Sequence, residues 1–206
     1  MRPTFGLLLS ISLFFATAAT ATADPGATVD DRTGVQEWGV LGSYGPSSRD
    51  DIFIMSLMGR AGWFLPDLID DPLHEYDLNL RWMLEGWVGW VANGQDAFEG
   101  GVNPIVLKLD YDAGQRFVPF GIGGVGAMYT GLQGQDLGGP FEFDSFVGVG
   151  LHTFLDDRTA LTLSWRIRHI SNASIKQPNR GLNTNFFTIG LEFFPKRSAG
   201  LTDWLR

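Results

Sequence analysis

The sequence predicts an all-β protein, an eight-stranded antiparallel transmembrane β-barrel with a packed polar interior. Three observations predict it. Apolar and polar residues alternate with period two along successive short stretches, the mark of strands with one greasy and one wet face. The chain holds 27 glycines and is 13% aromatic, a composition that suits an outer-membrane barrel better than a soluble enzyme. Beyond the N-terminal region, charges and glycines break every apolar run, so no stretch is long enough for a transmembrane helix.

The first residues read as a secretory signal. Arg2 supplies a positive start, residues 5–19 are apolar and small, and Ala21-Thr22-Ala23 offers a cleavage site before Asp24. Residues 1–23 are therefore assigned to a signal peptide and 24–206 to the barrel domain. The whole chain carries 15 Lys and Arg against 23 Asp and Glu, a net charge of −8. Loss of Arg2 with the signal leaves 14 bases against 23 acids, or −9. That balance argues against a nucleic-acid partner. There are no cysteines, so export brings no disulfide.

Each strand rests on its own pattern. Residues 35–44 form the first, with Trp38 and Val40 opposite Glu37, and Gly45-Pro46-Ser47-Ser48 turns the chain. Residues 51–65 set Phe53, Met55, Leu57 and Trp63 against Ser56, Arg60 and Gly62. Pro66 and Pro72 exclude a strand from the acidic connection that follows. Residues 80–91 alternate Leu80, Trp82, Leu84, Val88 and Trp90 with Arg81, Met83 and Glu85. Residues 103–111 place Ile105, Leu107, Leu109 and Tyr111 against Val106, Lys108 and Asp110. Residues 116–130 present Val118, Phe120 and Ile122 opposite Gly121 and Gly123, the glycines being read as the lumen face. Residues 141–154 set Phe141, Phe143, Val147, Val149 and Leu151 against Glu142, Asp144, Gly148, Gly150 and His152. Asp156-Asp157-Arg158 turns into the seventh strand, which ends at Ser171. The loop 172–182 leads to the eighth, residues 183–194.

Eight strands make the even number usual in bacterial single-chain barrels. Closure satisfies every backbone donor and acceptor, as lipid demands. A barrel this small is filled by side chains. The polar faces collect five bases (Arg60, Arg81, Lys108, Arg166, Arg168) and six acids (Glu37, Glu85, Asp110, Glu142, Asp144, Glu192), a balance that fits paired interior charge and argues against a pore. A soluble barrel would reverse inside and outside. The large aromatic apolar faces, and the glycines beside charges on the polar ones, favour the membrane version. Trp63, Trp82, Trp90 and Tyr111 lie near strand ends, where interfacial aromatics belong.

The seventh strand carries the chemistry. Leu161, Leu163, Trp165 and Ile167 take one face and Thr162, Ser164, Arg166, Arg168 and Ile170 the other. His169 and Ser171 continue the apolar stripe, so an imidazole and a hydroxyl point where lipid lies. With the N-terminus in the periplasm this strand runs outward, and the pair sits at the outer leaflet. Serine needs a base to remove its proton, and histidine is the natural one. A third group should orient the ring. Asn183 opens the eighth strand on the same face. It can accept a hydrogen bond from the imidazole but offers no negative charge.

The run Arg168-His169-Ile170-Ser171-Asn172-Ala173, with Lys176-Gln177-Pro178-Asn179 and Gly181, resembles the signature of the lipid A 3-O-deacylases (PagL). The resemblance implies an outer-membrane esterase that removes the ester-linked acyl chain at position 3 of lipid A, with no metal and no cofactor. It implies His169 as base, Ser171 as nucleophile, and Asn172 and Asn179 as holders of the site or the oxyanion. Its partner is lipid A of the outer leaflet, and the oligomeric state is left open between monomer and homodimer. Two positions depart from the family pattern. Asn183 stands where the family has an acid, and Ser174 where a glycine is usual. Two alternatives stay open: a non-catalytic structural or adhesive barrel, and an esterase acting on phospholipid.

Other motifs carry less. Gly121-x-Gly123-x-x-Gly126 matches a dinucleotide fingerprint but opens no helix. His74-Glu75 lacks the second histidine of a zinc helix, and His74 and His152 read as loop and lumen residues. Asn172-Ala173-Ser174 matches a glycosylation acceptor, a pattern of little meaning in a bacterial outer membrane.

Overall fold

The computed structural model describes residues 34–49, 52–66, 72–92, 96–132 and 137–195. The expected signal peptide, residues 1–23, lies outside them. Eight strands are present: β1 (Glu37–Pro46), β2 (Phe53–Phe64), β3 (Leu78–Ala92), β4 (Ala97–Tyr111), β5 (Phe117–Thr130), β6 (Phe141–Phe154), β7 (Thr159–Ser171) and β8 (Leu182–Phe193). Each pairs antiparallel with its sequence neighbours, and β1 pairs with β8 to close the barrel. Closure leaves no edge strand, so a wall facing hydrocarbon exposes no unpaired backbone. One rim carries the β1–β2, β3–β4, β5–β6 and β7–β8 connections and is called the loop rim below. The opposite rim is the turn rim.

Most of the wall follows the predicted parity. On β7, Thr162, Ser164, Arg166, Arg168 and Ile170 are buried, whereas Leu163, Trp165, Ile167 and His169 are exposed. On β3, Arg81, Met83 and Glu85 point in, with Trp87 and Val91 beyond them. Outward aromatics gather at both rims. Trp38 stacks on Phe193 and Trp63 lies against Trp82 near the turn rim. Tyr44 stacks on Phe53 and Trp90 meets Phe98 edge-on near the loop rim. These are the two interfacial girdles, and Trp63, Trp82 and Trp90 belong to them.

Two expectations are corrected. β4 begins at Ala97 rather than at residue 103. A bulge between Val102 and Ile105 switches its parity, so Glu99 and Asn103 face inward before it and Val106, Lys108 and Asp110 after it. Pro104, which has no backbone N–H for the ladder, sits in that bulge. A single alternating pattern cannot run through a bulge, and Glu99 was missed for that reason. On β5 the inside and outside are exchanged. Val118, Phe120 and Ile122 are buried in the lumen, and Gly121 and Gly123 lie on the outer wall. Inside, Phe120 and Ile122 pack with Met83, Val106 and Phe146, and Val118 with Phe154 and Phe194, while the outer face of β5 is left thin.

The interior is charged at mid-height and apolar toward both rims. Arg60 donates to both oxygens of Glu192, and Lys108 donates to Glu37 and to Nε2 of His152, the latter at 3.0 Å. His152 Nδ1 donates to Thr162 Oγ1 at 2.8 Å, and Thr162 donates to Glu192 at 2.6 Å. Arg81 pairs with Asp110, Arg166 with both oxygens of Glu85 (3.0 and 2.9 Å), and Arg168 with Glu99 at 2.8 Å. Ile54, Met58, Trp87, Val91, Ile170, Leu182 and Phe186 close the lumen toward the loop rim. Val118, Phe154, Ala160 and Phe194 close it toward the turn rim. Each of these buried charges has a partner of opposite sign, as burial demands.

Candidate functional site

Of the predicted site residues, His169 and Asn183 meet on the outer wall near the loop rim, Ser171 ends the same strand, and Asn172 and Asn179 bond to each other in the β7–β8 loop. The β7–β8 register sets His169 directly opposite Asn183. Their side chains meet, with His169 Nδ1 2.7 Å from Asn183 Oδ1. The amide oxygen only accepts, so Nδ1 carries the proton and Nε2 keeps its lone pair. Ser171 follows two residues on and on the same face, a strand spacing of roughly 7 Å. The ring edge points toward its level. A β-carbon placed on Gly181 would lie 3.0 Å from His169 Nε2 and 2.6 Å from Cε1. Because Ile170 pairs with Leu182, Gly181 is level with Ser171. The free nitrogen of the imidazole is thus turned toward the height at which the hydroxyl stands.

Loops fix the backbone of this corner. Ser47 Oγ and Ser48 N both donate to Asn183 O, at 3.1 and 2.7 Å. Arg49 Nη2 donates to Gly181 O at 2.6 Å. The β1–β2 connection therefore clamps the start of β8. Within the β7–β8 loop, Asn172 is buried and its amide donates to Lys176 O at 2.9 Å. Its backbone N–H donates to Asn179 Oδ1 at 3.1 Å. Asn172 and Asn179 thus brace the loop from within. Asn179 Nδ2 holds one long bond, 3.5 Å, to Ser174 Oγ and retains a second proton. Ala173 and Ser174 have φ of 53° and 65°, the left-handed region where glycine costs least. That explains physically why glycine suits position 174.

Ser47, Ser48 and Arg49 were missed as site residues. They read locally as a turn, and no short-range pattern says which distant strand that turn grips. Ser145 was missed for the same kind of reason. It lies on β6 directly opposite His169 and donates to His169 O at 3.4 Å.

Glu37, His152 and Glu192 place ligand-type atoms within 4.8 Å of one another in the lumen. Lys108 and Arg60 already occupy these groups, so the cluster reads as part of the ionic packing. Gly121, Gly123 and Gly126 lie inside β5, which leaves no strand-to-helix turn for a dinucleotide.

A family model described as lipid A 3-O-deacylase (PagL) matches residues 60–192. The chain belongs to that family. It is a β-barrel of the bacterial outer membrane. Among solved structures it is similar to the outer membrane enzyme PagL, at 19% identity over 74% of this chain and 97% of that one, with a TM-score of 0.60. It is also similar to Neisserial surface protein A (NspA), at 14% identity over 77% and 94% of the two chains, TM-score 0.49. A third is the N-terminal barrel domain of Pseudomonas aeruginosa OprF, at 12% identity over 78% and 100%, TM-score 0.45. No curated protein sequence matches. The family match spans both departures, so Asn183 and Ser174 are features of a family member.

Proposed function

We propose that this member hydrolyses the ester-linked 3-O acyl chain of lipid A in the outer leaflet, by nucleophilic catalysis at Ser171. The observation that carries the reading is the 2.7 Å contact between His169 and Asn183 on the lipid-facing wall, with Ser171 next on the same face. Asn183 fixes the tautomer that leaves Nε2 basic. Nε2 takes the proton of Ser171 as Oγ attacks the ester carbonyl carbon. The oxyanion that forms accepts a hydrogen bond from Asn179 Nδ2, and Asn172 keeps the loop that carries it in place. As the C–O bond breaks, His169 returns the proton to the departing sugar oxygen. Water, deprotonated by the same nitrogen, then releases the free fatty acid and restores Ser171. No cofactor or metal is needed for these steps.

The test is Ser171→Ala and His169→Ala, each expressed in an outer membrane, with lipid A profiled by mass spectrometry. Loss of the deacylated species in both variants is expected. Deacylation that persists in both removes the mechanism. A second reading, a non-catalytic barrel, is favoured by one observation, the neutral amide at 183. It predicts no acyl loss from lipid A or phospholipid with the unaltered chain.

A further inference from the structure

One polar side chain on the lipid-facing wall takes no part in the steps above. Asn185 lies on β8 between Thr184 and Phe186, both buried in the lumen, so its own side chain points outward. It stands one outward position below Asn183 and directly opposite Ile167 of β7. On the other flank the Ser47–Thr184 bridge brings Pro46 of β1 alongside. Phe187 comes next outward on β8, level with Tyr44. Its neighbours on the wall are thus apolar or aromatic, apart from Asn183, whose oxygen is taken by His169. Among the described residues, no group hydrogen-bonds to the Asn185 side chain. A carboxamide has two donor protons and an acceptor oxygen. Facing hydrocarbon with none of them met, it is costly to keep. A neutral polar ligand would meet them.

We propose that Asn185 accepts a hydrogen bond from an amide N–H of the substrate, in the linkage that joins a second acyl chain to the sugar beside the scissile ester. The proposal rests on the esterase reading above and adds a specificity residue. It assigns the substrate to the N-acylated amino-sugar lipids rather than the glycerophospholipids. Carboxylic esters carry acceptors only, so chains held by esters alone meet Nδ2 and leave Oδ1 unpaired in a dry layer. An amide N–H meets Oδ1, and the carbonyls around it remain for Nδ2. A site that hydrogen-bonds a substrate N–H rejects the analogue lacking it, because its own polar group is then left unpaired. Uncharged, the side chain gains no charge-assisted bond to a phosphate or an ammonium group that would compete with this choice.

The place fits the chemistry. Asn185 is level with Ile167, four residues down the sheet from Ser171, which is roughly 13 Å. An attacked carbonyl carbon stands roughly 3 Å from the nucleophile. A hydrogen bond at Asn185 takes up roughly 2.9 Å. What remains, roughly 7 Å before the reach of the two side chains is subtracted, spans two linkages on neighbouring sugar carbons. Phe187, Ile189 and Leu191 continue the exposed column of β8 below Asn185 and give the amide-linked chain an apolar wall to lie on.

The experiment uses the full barrel refolded in detergent micelles, with folding checked by heat-modifiable gel mobility. Two sugar lipids serve as probes, and release of the 3-O chain is followed by mass spectrometry. Both carry the same 3-O-acyl ester; one holds its second chain at position 2 by an amide, the other by an ester. The unaltered chain is expected to prefer the amide probe. Asn185→Leu, an apolar side chain of similar size, suits the wall. It should lower kcat/KM on the amide probe by roughly three- to tenfold and leave the ester probe unchanged. A loss equal on both probes means that Asn185 only supports the wall, and it overturns the proposal. So does an unaltered chain that cuts both probes equally well. Non-cleavable analogues, with a 3-O-alkyl ether in place of the scissile ester, separate this contact from catalysis. The amide analogue should raise the unfolding temperature of the unaltered barrel more than the ester-linked one does, and Asn185→Leu should abolish the difference. A folded barrel inactive on every probe overturns the esterase reading alone; equal temperature shifts by the two analogues overturn the amide contact.

Discussion

Replacing Asn183 by aspartate tests the least family-like feature of the site. The two side chains have the same shape, so the 2.7 Å contact to His169 Nδ1 is retained and only the charge changes. A neutral hydrogen bond contributes about 0.5–1.5 kcal/mol, and one to an ionised group about 1.5–3. The difference, about 1–1.5 kcal/mol, acts when the ring becomes an imidazolium in the transition state. It corresponds to a rise of roughly tenfold in kcat/KM. Asn183→Leu should do the opposite, losing the tautomer lock and slowing the reaction by at least the same factor. The assay is release of fatty acid from purified lipid A across a pH series. An aspartate variant that folds, but matches the unaltered chain in rate, refutes the claim that the group at 183 acts on the base.

Three further outcomes follow from the same geometry. Gly181→Val places carbon against His169 Cε1 and Ile170 O at a residue with φ of 64°, so activity should fall by more than tenfold while the barrel still folds; lipid A profiling and gel mobility check the two halves. Ser174→Gly relieves a left-handed backbone at φ 65° and should stabilise the loop by about 1 kcal/mol, seen as greater resistance of the 172–181 loop to proteolysis. Lys108→Met takes one buried cation from Glu37 and Asp110, leaving them to Arg60 and Arg81, and should cost about 3 kcal/mol, read as a lower urea midpoint on refolding into micelles.

The sequence by itself determined most of the barrel. Alternation is a local property, and lipid outside with paired charge inside enforces it strand by strand. Hence β3, β6 and β7 were legible to within a few residues, and so was the placement of His169 and Ser171 on the greasy face. Asn183 was legible too, because β7 and β8 are joined by one loop and keep the same parity. Tertiary structure decided what depends on strands meeting. The bulge at Pro104 reset the parity of β4 and brought Glu99 to Arg168. Closure set Ser47, Ser48 and Arg49 against the start of β8, more than 130 residues away in the chain. The inward turn of Val118, Phe120 and Ile122 packs them against Met83, Val106 and Phe146 and against Phe154 and Phe194, neighbours from other strands that no single strand encodes. That same turn put Gly123 on the outside. Periodicity reports which residues share a face; only the packed lumen decides which face is in.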